Sequence, residues 1–408
     1  MEGKKGKLVA ALCLAGLLAG GGAPSAASAA GKEPVKIGAV FSVTGPPAFL
    51  GDPEKKTAEL VTEEINRAGG ILGRPVELVV LDDEGDATKA VTAFDRLVKK
   101  DRVVAVIGPS TSGSTLAIVP KAKEARIPLV SCAAARKIVD PVDPWIFKTP
   151  QSDFLAVRKI YGHMKSQGIT KVALISASDA YGAAGREELK NLAGQFGITV
   201  VADEVFGPKD TDMTAQLTKI KGTDAQATVC WGTNPGPAAV ARNRAQLGVK
   251  TPLYMSHGVE SKKFIELAGK ENAEGILLPA GHLAVLDQLP AGAPGRNVLS
   301  TYCSAYEGRC NTPVSAFGGY AHDALRLVAE AAKLGRGATP EAIRAGLEKV
   351  RKFQGVTGEY NFSPTDHNGL TESAFVMVRI ADGKFQLLDK ITPATGKKAP
   401  AAKGGKKK

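Results

Sequence analysis

Small hydroxylated residues crowd the stretch IGPSTSGSTLAIVP at 107–120, where Ser112, Ser114 and Thr115 surround Gly113. A strand ending at Gly108 and a helix starting beyond it would bring unpaired N–H groups and these hydroxyls to one point. That is an anion site, and a carboxylate is its natural guest. No Gly-Lys-Ser/Thr follows, so it is not a Walker phosphate loop. The same hydroxyls could instead cap the helix. Four other loops follow apolar strand-like runs in the same way. Ala133, Ala134 and Ala135 in PLVSCAAARK permit close backbone approach by a ligand. Tyr181 in SASDAYG offers a ring and a hydroxyl. Trp231 and Asn234 stand in VCWGTNPG, and His257 in YMSHGVE.

These residues do not compose an enzyme. The histidines are dispersed at 163, 257, 282, 322 and 367, with no HExxH. There is no G-x-S-x-G and no GxGxxG after the first strand. Asp82, Asp83, Glu84 and Asp86 cluster but lack calcium-loop spacing, and read as a solvated turn. No cofactor or metal is expected.

The loops need a scaffold of alternating strands and helices, and the pattern supplies one. VKIGAVFS, VELVVLDD, VVAVIG and PLVS are apolar runs separated by amphipathic stretches. In EKKTAELVTEEINRAGG, Ala58, Val61, Ile65 and Ala68 recur at helical spacing before Gly69-Gly70. The pattern restarts near residue 150 with KVALISAS, ITVVADEVF, ATVCWG and PLYMS. An irregular stretch, DQLPAGAPGRN, precedes a long helix over 321–334 and a shorter one over 340–350. The strands SAFVMVRI and GKFQLLDK, joined at Ala381-Asp382-Gly383, close the body. Such alternation predicts α/β lobes, each a mostly parallel sheet flanked by helices, with ligands at the carboxyl ends of the strands.

The chain has 408 residues, 44% hydrophobic, with a formal charge of +12. The charge is largely terminal. Three lysines precede the apolar run Leu8 to Ala19 and a small-residue segment, the layout of a secretory signal over 1–30 with cleavage near residue 29–30. The last 14 residues hold six lysines and no acid, a basic tail over 391–408. The body carries no basic block with interleaved aromatics, so no nucleic-acid partner is expected. Cys303 and Cys310 enclose the short loop YCSAYEGRC; in an exported protein a local disulfide is expected. Cys132 and Cys230 are expected to be free.

In order, VKIGAVFSVTGPPAFLG, AELVTEEINRAGGILGRPVELVVLDDEGD, VVAVIGPSTSGST, IPLVSCAAA, IFKTPQSD, KVALISASDAYG and FVMVRIADGKFQ resemble the periplasmic branched-chain amino acid binding proteins of ABC importers, over about residues 34 to 390. The resemblance implies a type I periplasmic binding protein fold with three hinge crossovers. Lobe 1 would take 31–149 plus 282–356, and lobe 2 would take 150–281 plus 357–390. It implies a monomer that carries a small amino acid or organic acid to a membrane permease. By the same resemblance, Ser112 and the Ala133 to Ala135 loop hold the ligand carboxylate and Tyr181 closes over it. Asn234 takes the place of a ring, with Trp231 nearby; an aromatic falls at Phe49 or Leu50, and Phe317 lines the first-lobe wall. Two positions depart from the family. Its threonine beside the ligand ammonium is Ala135 here, and its glutamate is His257. A buried ammonium without an acidic partner is costly, so a carboxylate ligand without an amino group, or an amide, is the alternative to a hydrophobic amino acid. A sensory receptor of the same fold and a secreted hydrolase using Ser112 with His257 as base remain open.

Overall fold

The computed structural model describes residues 32–389; the expected export signal at 1–30 and basic tail at 391–408 lie outside the described residues. The strand Val35–Phe41 is buried along nearly its whole length, as a strand covered on both faces must be. Val35, Ile37, Ala39 and Phe41 point into one core and Val40 into the other. It is an inner strand of a five-stranded parallel sheet ordered Val76–Asp82, Val35–Phe41, Ala105–Ile107, Leu129–Ser131, Ile146–Lys148. The helix Ala48–Arg67 buries Ala58, Val61 and Ile65, as their spacing predicts. It begins earlier than the sequence pattern suggests and runs through Pro53. Beyond it, Gly69 and Gly70 take φ values of 96° and 76°, which only glycine adopts without strain.

The second sheet has seven strands in the order Lys384–Leu387, Val376–Ala381, Leu277–Ala280, Leu253–Met255, Ala227–Trp231, Lys171–Ala177, Thr199–Phe206. Val376–Ala381 runs antiparallel to both of its neighbours, and the other pairs are parallel. Asp382 and Gly383 both have positive φ in the tight turn between the last two strands, as an Asp-Gly hairpin requires. Along Lys171–Ala177, alternate residues enter separate cores: Ala173, Ile175 and Ala177 on one face, Val172 and Leu174 on the other. Among the described residues no helix is long and apolar enough to cross a membrane.

Each sheet with its helices makes one lobe, and the chain passes between the lobes three times, near 149–152, 281–315 and 371–375. The expected division at residue 356 does not match the packing. Tyr360, Phe362 and Leu370 belong to the first-sheet core, and Tyr360 Oη donates to the Thr149 carbonyl at 2.8 Å. At the other end, Leu283, Val285, Leu299 and Tyr302 pack with the second-sheet core, although 282–356 was assigned to lobe 1 by the resemblance.

The expected Cys303–Cys310 disulfide is also corrected: both thiols are free. They lie on one continuous helix, Arg296–Cys310. Seven helical residues separate them by about 10 Å along the axis, beyond the reach of a disulfide. Cys132 and Cys230 are free and buried. The acidic cluster at 82–86 is the expected turn, with Asp82, Glu84 and Asp86 exposed; Asp83 alone departs from that reading. Asp83 is fully buried and accepts from Ser42 Oγ at 2.6 Å. Asp82 accepts from the Val43 and Thr44 backbone and from Thr44 Oγ1, and Asp86 caps the next helix.

Candidate functional site

Between the lobes lies a cavity of about 430 Å³. Its walls are the loops that follow strand carboxyl ends in both sheets, the position where α/β sheets take ligands. The first lobe contributes Leu50, Ser112, Ala133, Ala134 and Phe317; the second contributes Tyr181, Asn234 and His257. Eight of the eleven residues named from sequence therefore share one cavity.

In the 107–120 loop the helix is capped by Thr111 and not by the serines after it. Thr111 is the N-cap of the helix Ser112–Ala125, its side chain accepting from the Ser114 N–H. Ser112 is thereby spared. Its Oγ accepts from the Ala135 N–H at 3.3 Å, which leaves the hydroxyl hydrogen to donate. The N–H groups of Ser112 and Gly113 precede the first intrahelical bond and add their partial positive charge.

Three expected residues stand back from the cavity. Ala135 is fully buried in the first-lobe core, and its backbone holds Ser112. Phe49 packs edge-on against Phe317 with ring centroids 5.6 Å apart; one residue on, a turn of about 100° brings Leu50 to the cavity. Trp231 is fully buried. Ala227, Val229 and Trp231 share the strand face under the helix Ala180–Ala193, while Cys230 faces the other core. Trp231 instead backs the site, 6.0 Å from both Tyr181 and His257 between ring centroids.

His257 is 2% exposed, set edge-to-face against Phe375 and Tyr181. Tyr181 Oη is 3.4 Å from its Nδ1, and its Nε2 has no partner among the described residues. Burial pushes its pKa down to about 3, and the nearby Lys148 ammonium acts in the same direction. The ring is therefore neutral at physiological pH. Asn234 is buried as well, and both polar atoms of its amide are unpartnered among the described residues. Of the acids on the cavity wall, Glu84 pairs with Lys89 at 2.6 Å, and Asp179 caps its helix through Oδ1. Glu260 lies outside this wall, its carboxyl raised by burial to about 8.

Sequence reading missed Tyr320, Phe206, Pro46, Pro47 and Lys209, all on the wall. Tyr320 was accessible in principle, since it follows Phe317 by three residues on one helix face. Phe206 ends the strand Thr199–Phe206, as the noted loop residues end theirs.

A family model described as periplasmic binding protein matches residues 34–384. The Leu/Ile/Val-binding protein BraC3 of Rhizobium johnstonii is 25% identical over 357 residues, 86% of this chain and 93% of that protein. An extracellular ligand-binding receptor from Rhodopseudomonas palustris HaA2 superposes with TM-score 0.82 at 30% identity, over 88% of this chain and 100% of that one. The branched-chain amino acid transporter substrate binding protein LivJ of Streptococcus pneumoniae, in complex with isoleucine, superposes with TM-score 0.77 at 29% identity over 87% and 99%. The chain belongs to the periplasmic binding protein family, among relatives of the branched-chain amino acid binding proteins, and is a solute-binding chain rather than an enzyme.

Proposed function

We propose that this chain is the exported receptor of an ABC importer, closing its lobes over a carboxylate-bearing solute with an apolar body and no ammonium group. After signal cleavage near residue 29–30 it works as a periplasmic monomer and hands the solute to a membrane permease. The carboxylate meets Ser112 and the N–H groups beside it, and Leu50, Phe317 and Phe206 surround the apolar body. The observation that carries the ligand class is His257. By the family resemblance it stands where a glutamate would face a ligand ammonium, and it is buried and neutral. An ammonium left there unpaired would lose several kcal/mol of hydration, by an order-of-magnitude reckoning (about 3 kcal/mol or more). Neutral polar atoms at Asn234 and His257 suit a hydroxyl or carbonyl on the ligand instead.

A hydrophobic amino acid is the second reading. It is favoured by Asp179, which lines the cavity and has only one oxygen committed to its helix.

The test is thermal stabilisation across aliphatic, aromatic and hydroxylated carboxylic acids, their amides, and the standard amino acids. Ligand at 100 times its Kd adds about 2.7 kcal/mol. Acids lacking an ammonium are expected to raise Tm, with leucine and valine inert. Strong stabilisation by leucine or valine selects the second reading, and no shift with any of these solutes overturns both ligand classes.

A further inference from the structure

Lys148 ends the strand Ile146–Lys148 and is fully buried, an unusual place for an ammonium. Its Nζ donates to the Ala134 carbonyl. The other end of that same peptide, the Ala135 N–H, donates to Ser112 Oγ. Ser112 and Ala134 both line the cavity. The bonds run head to tail: ammonium to carbonyl, peptide N–H to hydroxyl, hydroxyl to whatever anion sits in the cleft. Each donor polarises the next, and in a water-poor interior such chains reinforce one another.

Packing alone does not account for a lysine here. An apolar side chain of similar length would avoid the desolvation of a charge. The carboxyl of Asp153, the first residue of the helix Asp153–Ser166, acts on this ammonium through its field rather than through a direct ion pair; it is fully buried and neither of its oxygens has a hydrogen-bond partner among the described residues. The pair stands on either side of the first crossover.

We propose that Lys148 is a positioning residue for ligand recognition, orienting and polarising the Ala134–Ala135 peptide so that Ser112 presents its hydroxyl hydrogen to the ligand carboxylate. This rests on the carboxylate reading above. It assigns Lys148 a part in choosing carboxylates over their uncharged analogues without touching the ligand.

The test uses the whole mature chain and calorimetric titration with 4-methylpentanoate, 2-hydroxy-4-methylpentanoate, benzoate and 4-hydroxybenzoate, each beside its primary amide. Lys148→Met is expected to weaken the acids bound by the wild type at least tenfold and any amide that binds by no more than about threefold. Ser112→Ala is expected to weaken the same acids, and the double variant should be no worse than the weaker single one, because both interrupt one chain. Lys148→Met alone leaves Asp153 uncompensated, so Lys148→Met with Asp153→Asn is measured alongside it, and the same acid-selective loss is expected there. Equal losses for acid and amide would make Lys148 a packing element and overturn the inference, as would fully multiplicative losses in the double variant. A wild type that binds leucine or valine but none of the four acids removes the ammonium-free reading alone; the inference is then read on leucine beside leucinamide, where the same acid-selective loss upholds it and equal losses overturn it.

Discussion

Glu260 sits beside the cleft with one oxygen accepting from the Gly281 N–H at 2.9 Å and the other unpartnered among the described residues. Burial raises its carboxyl from 4.5 to about 8. The folded state therefore holds a proton that the unfolded chain releases near 4.5. The resulting stability is complete below that pH and is lost as pH rises towards 8, on the order of 5 kcal/mol. His257 works from the other side: buried neutral, it costs stability as pH falls from 6.5 towards 3. Glu260→Gln keeps an acceptor for Gly281 and has no charge to bury. It is expected to melt several degrees above wild type at pH 8 and close to it at pH 5. An equal difference at the two pH values would mean that Glu260 ionises freely. Such residues mark the limit of the sequence at this scale. Ser112 and Tyr181 were legible because each follows a strand end, where the topology delivers ligands. Glu260 and Lys148 were not, because nothing in their residue type or neighbours says that a charged side chain will be enclosed.

The helix Ala180–Ala193 carries Tyr181 and rests on Trp231 through Gly185. A Cβ at Gly185 would lie 2.1 Å from the indole, a rigid ring with nowhere to retreat. Gly185→Ala must push the helix outward and Tyr181 with it. Overpacking of this kind costs about 1–3 kcal/mol. A Tm drop of a few degrees is expected, together with weaker ligand binding. Gly194→Ala, where nothing lies within 4 Å, is the control and should change neither. If Gly185→Ala melts and binds like the control, the helix is not seated on the indole. The place of Trp231 was readable from strand parity, since Ala227, Val229 and Trp231 alternate with Cys230. The helix Arg296–Cys310 was readable too: Leu299, Tyr302 and Tyr306 are its buried residues, and they recur at intervals of three and four. Taking that stretch as a loop produced the disulfide that the helix forbids.

Across the molecule, the crossovers are laced by side chains bonded to backbone. Gln151 donates to the Ala374 carbonyl at 3.0 Å and Asn368 to the Pro150 carbonyl at 2.9 Å. Away from the hinge, the lobes meet through Lys137 with Glu187 and Arg136 with Glu188. These pairs are partly solvated, worth about 0.2–1 kcal/mol each and screened by salt. Glu187→Ala with Glu188→Ala is expected to weaken ligand binding roughly threefold to tenfold at low ionic strength. The deficit should shrink in 0.5 M salt (about a 4 Å screening length). Undiminished affinity at low salt would show that these pairs play no part in closure. The overall alternation of strands and helices was legible because sheet burial imposes it on every apolar run; the lobe boundaries were not, because Tyr360 and Phe362 cross back to the first core through tertiary packing alone.

The first described strand, Val35–Phe41, lies in one sheet and the last described strand, Lys384–Leu387, in the other. The described backbone thus enters on one jaw and leaves from the opposite one. A pair of labels at Lys32 and Leu388 spans the hinge, so the distance between them is a measure of the closure angle, and the scaffold is already wired as a single-chain reporter of its own occupancy.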